Sequence, residues 1–255
     1  MDRDKTENMF LAPKTGSAMF EAFCKAFFTV YCRLTVEGRN QLPPSPFIIC
    51  SNHTSHVDSA VLMTASGLPF SEFALLGARD YFFYSWKARF LVSRFMNVIP
   101  IERQAHHKSI RRSLAMCEEF VQGTHGNLIL YPEGTRSLDG EMQTFKSGAG
   151  LFAFDLGVPV VPAYIDGTHR ILAKGKFMPL PQPVTVRFGE PIVFESKQLD
   201  FQRGYGHRRA AVDLLEHSIR MLRPQPSSGD VAAPSGEEQP ATVPVSAARR
   251  ERAGL

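Results

Sequence analysis

A histidine and an aspartate follow an apolar run in the first quarter of the chain and could form an acid/base pair. The run covers residues 47–50 and ends in small polar residues, among which His53 and Asp58 lie. On a regular helix this spacing would separate them by roughly 140° of rotation and about 7.5 Å of rise, so they would not share a face. They can meet only if His53 precedes the helix. One ring N–H could then donate to the Asp58 carboxylate and leave the other nitrogen as a base.

Two other interpretations of this stretch are open. His53 and Asp58 could be ordinary capping residues at the start of a helix. His53, His56 and Asp58 could instead hold a metal ion, but the His-x-His-x-Asp-His pattern of metallo-β-lactamase-type hydrolases lacks two ligands here, because Thr54 and Ser59 occupy those positions. We therefore predict no metal site.

A second cluster of polar residues follows the apolar run 128–131. In it, Gly134 could expose backbone N–H groups, and the Arg136 guanidinium is suited to bidentate binding of a phosphate. The Glu133 carboxylate could position a hydroxyl group or that guanidinium. A surface β-turn has the same Pro-Glu-Gly sequence, so this alternative remains.

Apolar runs alternate with helical periodicities, which predicts an α/β fold with a mostly parallel central sheet flanked by helices. Strands are predicted at 47–50, 72–76, 98–101, 128–131, 158–165 and 184–188. One helix should begin near residue 57 and end before Gly67; its candidate N-caps are Ser51, Asn52, Thr54 and Ser55. A second should cover 110–121, with Gly123 as C-cap. Polar residues follow three strands, at 52–58, 102–103 and 133–137, and should form one pocket at the carboxyl edge of the sheet.

The segment 17–34 is rich in aromatic residues but too short and too charged to span a bilayer. As an amphipathic helix it would gather these residues on one side: Phe20, Phe23, Phe27, Val30, Tyr31 and Leu34. That side could lie in a membrane interface or cover the core.

Length and composition indicate one domain with appendages, since the 255 residues are 44% hydrophobic. Residues 224–255 contain five prolines and no aromatic residue, which predicts a disordered tail. We therefore divide the chain into an N-terminal helical segment at 1–44, an α/β domain at 45–223 and the tail.

Charge and cysteine usage limit the environment and the partners. Seven basic residues against one acid between 87 and 112 suit an anionic ligand or a lipid surface, although a solvated helix face would have the same composition. Four cysteines without metal-ligand spacing favour a reducing compartment, and residues 1–7 do not resemble a secretory signal, so we expect no export. We expect no nucleic-acid partner.

The two polar motifs together resemble the glycerolipid acyltransferase family, whose best-known members are the 1-acyl-sn-glycerol-3-phosphate acyltransferases. The resemblance rests on Asn-His-x-x-x-x-Asp at 52–58, followed some 75 residues later by Tyr-Pro-Glu-Gly-Thr-Arg-Ser at 131–137. Similarities to the other motifs of the family lie at 98–103, 145–148 and 158–164. The similar region extends from about residue 46 to residue 190.

The resemblance implies acyl transfer from an acyl thioester, acyl-CoA or acyl-carrier protein, to the free hydroxyl of a lysophospholipid, converting 1-acyl-sn-glycerol-3-phosphate to phosphatidate. It implies that His53 is the general base and that Asp58 holds it. The implied substrate-binding residues are Arg103, Glu133, Gly134, Thr135, Arg136 and Lys146. No cofactor besides the acyl donor is implied, and the expected location is peripheral, on the cytoplasmic face of a membrane.

Three alternatives to this function stay open: another lipid acceptor, a metal-dependent hydrolase and a non-catalytic lipid-binding module. A binding module would be expected to have lost His53 or Asp58, and both are present.

Overall fold

The structure is a computed structural model that describes residues 13–78, 94–101, 107–146, 148, 151–152, 155–172, 178–194 and 205–224. The strands in these ranges are β1 (Leu34–Glu37), β2 (Ile48–Ser51), β3 (Phe73–Ala78), β4 (Asn97–Ile101), β5 (Asn127–Leu130), β6 (Val160–Asp166) and β7 (Val184–Phe188). The helices are α1 (Lys14–Ala26), α2 (Asp58–Ser66), α3 (His107–Thr124), α4 (Thr168–Ile171) and α5 (Tyr205–Met221).

The described strands form one sheet in the order β1-β7-β6-β2-β5-β3-β4. The five strands from β6 to β4 are parallel to one another, whereas β7 runs antiparallel to β6 and pairs in parallel with β1. The prediction of an α/β fold with a mostly parallel sheet is therefore confirmed. β2 lies between β6 and β5, so its carboxyl end opens near the middle of the sheet edge.

Burial on both faces explains why β2 has an uninterrupted apolar sequence. Ile49 belongs to the core cluster that includes Leu62 of α2, while Ile48 and Cys50 belong to the cluster that includes Leu215 of α5. All four residues of the strand are buried. The sheet thus holds the end of β2 rigidly, with packed helices above and below it.

The helix after β2 ends as predicted but begins differently. Gly67 ends α2 with φ 79°, in the left-handed region that favours glycine. The N-cap residue is Val57, which makes no side-chain cap, so the predicted polar N-caps were wrong. The hydroxyls of Thr54 and Ser55 bind α4 and the residue after it instead of the first turn of α2.

The predicted end of α3 at Gly123 was also wrong, because the helix continues through this glycine to Thr124. The Thr124 hydroxyl donates to the Phe120 carbonyl at 2.7 Å within the last turn. The left-handed conformation falls on His125, whose φ is 52°.

The N-terminal segment does not present a single apolar side. A π-helical turn, Phe27–Tyr31, follows α1 and changes which side chains face inward. Cys24 and Phe28 are buried in the core, whereas Phe23 and Val30 are 63% and 79% exposed. Leu34, predicted to be helical, is the first residue of β1. Within the described residues, no helix is long and apolar enough to cross a membrane.

Several predictions concern residues outside the described ranges. They are the tail beyond Pro224, the residue Arg103, and Lys87 and Arg89 of the basic residues between 87 and 112. Arg94, Arg111 and Arg112 of the basic region are described and exposed.

Candidate active site

The His53 side chain lies in the loop between β2 and α2, before the first helical turn. Its Nδ1 atom is 2.8 Å from Oδ2 of Asp58, so the predicted hydrogen bond is present. The imidazole is 20% exposed, whereas the Asp58 side chain is fully buried. With Nδ1–H donating to the carboxylate, Nε2 carries the lone pair that a base needs.

The Asp58 carboxylate shapes the whole loop as well as orienting the imidazole. The same Oδ2 atom accepts the backbone N–H of Thr54 at 2.7 Å and that of Ser55 at 2.8 Å. Hydrogen bonds to an ionised acceptor are stronger than neutral ones, and these two fold the loop back over the start of α2. This fold brings together two side chains that a continuous helix would separate.

A tyrosine from the neighbouring strand end covers the face of the imidazole. The rings of His53 and Tyr131 are stacked, with centroids 4.0 Å apart and planes inclined by 15°. The Tyr131 hydroxyl lies 2.8 Å from the Ser59 hydroxyl of α2. Burial and the nearby Asp58 carboxylate raise the pKa of Tyr131 well above its ordinary value, against the opposing effect of the Ser59 hydrogen bond, so the phenol stays neutral.

The second motif also holds the backbone of His53 on both sides. Oε1 of Glu133 accepts the His53 N–H at 2.8 Å, and the Ser137 N–H donates to the His53 carbonyl at 2.9 Å. Oε2 of Glu133 accepts the N–H of Gln143 at 3.1 Å. Burial raises the pKa of Glu133 to about 7, although these two N–H donors lower it. Both oxygens therefore face backbone N–H groups, and a contact between Glu133 and a substrate stays a prediction.

The glycine of the second motif lies directly under a lysine. Gly134 has φ 68°, and a Cβ atom added there would lie 2.9 Å from Nζ of Lys146. The Gly134 N–H donates to the Tyr131 carbonyl at 3.1 Å and so closes the turn. We had predicted that this N–H would be available to a ligand, and that prediction was wrong. Lys146 is held in turn by its own N–H, which donates to the Pro132 carbonyl at 2.9 Å. The structure thus places the Lys146 ammonium against the turn that carries Thr135 and Arg136.

The Arg136 charge of the second motif acts on His56 of the first motif. Partial burial, then the Arg136 charge and the nearby His53, lower the pKa of His56 to about 4. His56 is consequently neutral at physiological pH, although the Asp58 carboxylate opposes this shift. Arg103, the remaining predicted phosphate ligand, lies outside the described residues.

A third set of contacts, which we did not predict, holds the first motif from the side of β6. The Asn52 amide donates to the Ile165 carbonyl at 2.9 Å and accepts the Ile165 N–H at 2.8 Å. The Thr54 hydroxyl lies 2.9 Å from that of Thr168, and the Ser55 hydroxyl donates to the Leu172 carbonyl at 2.7 Å. Only the position of Asn52, directly after a strand, could have indicated such a bridge.

The structure therefore joins the first and second motifs at the adjacent carboxyl ends of β2 and β5. Within the described residues, no group of three or more His, Cys, Asp or Glu side chains is arranged to hold a metal ion.

Comparisons with known proteins identify similar sequences and a similar fold. The family model described as "Acyltransferase" matches residues 33–166. The chain is 31% identical over 153 residues to the chloroplastic 1-acyl-sn-glycerol-3-phosphate acyltransferase BAT2 of Brassica napus, covering 57% of this chain and 40% of the relative. It is 30% identical over 146 residues to the human 1-acyl-sn-glycerol-3-phosphate acyltransferase alpha, covering 56% and 48%. The chain thus spans less than half of the length of these two relatives.

One solved structure resembles this fold over most of its length. It is the 1-acyl-sn-glycerophosphate (LPA) acyltransferase PlsC from Thermotoga maritima, with a TM-score of 0.60 and 24% identity. The alignment covers 82% of this chain and 80% of that chain.

Proposed function

The chain belongs to the acyltransferase family, and on this premise we propose that it transfers a fatty acyl group from an acyl thioester to the free hydroxyl of a lysophospholipid. The proposed acceptor is 1-acyl-sn-glycerol-3-phosphate, which is named in the relatives that this chain matches. The proposed donor is acyl-CoA or acyl-carrier protein.

The observation that carries this proposal is the orientation of His53. Nδ1 is held by a buried carboxylate, and within the part of the chain that the structure describes Nε2 makes no hydrogen bond. An alcohol is a poor nucleophile at neutral pH, so a positioned imidazole that accepts its proton as the new bond forms accelerates attack. General-base catalysis of this kind contributes about 10²–10⁴-fold.

In the proposed reaction, the acceptor oxygen attacks the carbonyl carbon of the thioester while Nε2 of His53 accepts the hydroxyl proton. The C–S bond of the tetrahedral intermediate then breaks, and the leaving thiolate takes the proton from the imidazolium. Asp58 stabilises that imidazolium by charge, and the face of Tyr131 contributes a cation–π attraction. The step needs no covalent acyl-enzyme, because the ester bond forms directly.

We propose that the acceptor phosphate binds on the side of the second motif. Lys146 contributes an ammonium group and Arg136 a guanidinium, which can bind phosphate oxygens with two parallel hydrogen bonds. Gly134 adopts φ 68°, a left-handed conformation in which a side chain would be strained, and a side chain there would also displace that of Lys146. Thr135 and Arg103 complete the proposed phosphate-binding set, and Glu133 is proposed to shape it from beneath.

We also propose peripheral attachment to the cytoplasmic face of a membrane, since a lysophospholipid acceptor resides in a bilayer. The outward side of the N-terminal segment supports this, because it exposes large apolar side chains that would gain from burial in an interface. These side chains are Met19, Phe23, Val30 and Tyr31.

The test is a product assay with the purified full chain, acyl-CoA and acyl-carrier protein as donors, and a panel of lysophospholipids and monoacylglycerol as acceptors. We expect phosphatidate from 1-acyl-sn-glycerol-3-phosphate and little product from monoacylglycerol, which lacks the phosphate. Formation of free fatty acid alone would refute acyl transfer. Preferential acylation of another lipid would retain the proposed reaction but show that the acceptor is that lipid.

A further inference from the structure

A loop that follows the second motif is attached at its outer side to the C-terminal helix α5. The Phe145 N–H donates to Oε2 of Glu216 at 3.0 Å. At the other end of this loop, Glu141 forms a two-point ion pair with Arg223, with N–O distances of 2.7 and 2.8 Å. We name residues 141–146 the acceptor loop, because they carry Lys146.

The inner side of the acceptor loop contacts the candidate active site. The Gln143 N–H donates to Glu133, whose other oxygen accepts the N–H of His53. The Lys146 N–H donates to the Pro132 carbonyl, and the Lys146 side chain lies over Gly134. A short path of hydrogen bonds therefore leads from α5 through the loop to both the base and the proposed phosphate site.

The side chain of Phe145 packs in the apolar core. The Phe145 ring is 2% exposed and belongs to the core cluster that contains Val212, Leu215 and Ile219 of α5. The backbone of Phe145 is thus bound to α5, and its side chain lies in the core cluster to which α5 contributes. The match to the family model ends at residue 166, so α5 lies outside the matched region.

Glu216 is suited to this attachment because it stays ionised. Burial alone would raise its pKa, but the Phe145 N–H and Arg220 outweigh that effect and hold the pKa below its ordinary value. Arg220 donates to the other carboxylate oxygen at 2.8 and 3.1 Å and so fixes the side chain. One oxygen therefore remains directed at the acceptor loop.

We propose that Glu216 is a positioning residue, through which α5 holds the acceptor loop in the conformation that binds the phosphate of the acceptor. This inference rests on the proposed function for its kinetic consequence, whereas its structural part does not. The carboxylate acts on the substrate only through the Phe145 N–H, Lys146 and Gln143. Its loss should therefore affect acceptor binding more than donor binding.

The kinetic test compares Glu216→Ala, Glu216→Gln and the parent chain. Loss of one charge-assisted hydrogen bond to a buried N–H corresponds to about a tenfold change in the population of the ordered loop. We expect Glu216→Ala to raise the KM for the lysophospholipid about tenfold and to leave the donor KM within about twofold. Glu216→Gln retains an acceptor oxygen and should restore most of the loss. Simple destabilisation would lower kcat by reducing the active fraction and would leave both KM values unchanged.

Asp213→Ala is the matched control, because Asp213 pairs with Arg209 on the exposed side of the same helix and does not contact the loop. It should leave both KM values unchanged. If Glu216→Ala does not fold, Glu141→Ala loosens the same loop at an exposed ion pair and should raise the acceptor KM in the same direction.

Hydrogen–deuterium exchange tests the structural part without turnover. In Glu216→Ala, and not in Asp213→Ala, we expect faster exchange of the Phe145, Gln143 and His53 amides. Unchanged exchange at all three amides would overturn the inference. If the parent chain acylated no lysophospholipid, the proposed function would fail, and hydrogen–deuterium exchange would still decide whether Glu216 holds the acceptor loop. If the parent chain were active and Glu216→Ala left the acceptor KM unchanged, only the inference about Glu216 would be refuted.

Discussion

Replacement of Glu133 by Gln tests how the second motif acts on the candidate base. The Glu133 side chain is 1% exposed, and its two oxygens accept the N–H groups of His53 and Gln143. In Glu133→Gln, one of these oxygens becomes an NH₂ group, so one backbone donor loses its acceptor. The variant also removes a buried group that titrates in the folded chain.

The size of the effect on stability follows from the pKa of Glu133, which burial raises from 4.5 to about 7. Between these two values the unfolded chain has released a proton that the folded chain retains. The free energy of unfolding of the parent therefore falls as the pH rises through this range, at up to about 1.4 kcal/mol per pH unit. The total loss is at most about 3 kcal/mol, complete above the folded pKa, and Glu133→Gln should lack it.

A second group, the histidine His56, is exposed and titrates in the opposite sense. The pKa of His56 is lowered from 6.5 to about 4, so its contribution to stability rises with pH between these values. Both proteins contain this histidine, and its effect cancels in the difference between them. The difference in the free energy of unfolding therefore isolates Glu133.

The assay is urea unfolding followed by circular dichroism, for the parent and Glu133→Gln at a series of pH values from about 4.5 to above 7. We expect Glu133→Gln to gain about 3 kcal/mol relative to the parent across this range. Asp213→Asn, at an exposed carboxylate that does not contact the acceptor loop, is the matched control and should show no comparable gain. If the free energies of unfolding of the parent and Glu133→Gln depended on pH in the same way, the folded parent would not retain a proton on Glu133, and this reasoning would be refuted. Turnover should still fall about tenfold in this variant, because a buried donor facing the NH₂ group loosens the base or the acceptor loop.

Four further predictions concern the base, its partner, metal ions and the membrane. His53→Ala should lower kcat about 10²–10⁴-fold while lysophospholipid binding, measured by calorimetry, is retained. Asp58→Asn should lower kcat by a similar factor, because Oδ2 then accepts three N–H donors without a charge, and the pH dependence of kcat/KM should shift with it. Activity should persist in excess EDTA, as measured by product formation. Phe23→Ser together with Val30→Ser should weaken co-sedimentation with anionic liposomes, and added salt should weaken it further.

Three of these expectations would be contradicted by a specific outcome. Near-normal kcat in His53→Ala would remove this residue as the base. Loss of turnover on chelation, restored by zinc, would support a metal-dependent hydrolase. Undiminished liposome binding by the double serine variant would assign membrane attachment to another surface; both positions are exposed, so this variant should fold.

The local pattern of the sequence was sufficient to predict six of the seven strands that the structure describes and the position of the first motif, whereas β1 was missed. A short apolar run that ends in Asn-His indicated a buried strand and a polar loop, and the spacing of His53 and Asp58 required the histidine to precede the helix. The burial of β2 on both faces and the hydrogen bond between the two side chains agree with this. These features could be predicted because they depend on residues within a few positions of one another.

The N-terminal segment shows where local periodicity fails. A regular helix through 17–34 predicted one apolar side, but a π-helical turn interrupts it and Phe28 faces the core while Phe23 and Val30 face outward. The choice among the phenylalanines depends on which of them the sheet and α2 can bury. That choice depends on packing, which a helical projection of the sequence does not contain.

The sequence by itself determined that two polar motifs follow buried strands, and the family resemblance assigned them to one site. Only the tertiary structure decided how they meet: β5 lies beside β2, so Tyr131 stacks on His53 and Glu133 binds its backbone N–H across 80 positions of sequence. The strand order also places Ile165 of β6 within reach of Asn52 on the other side. A carboxylate or an amide can bind any N–H that lies close enough, so residue type limits the chemistry of a contact, whereas strand order selects its partner.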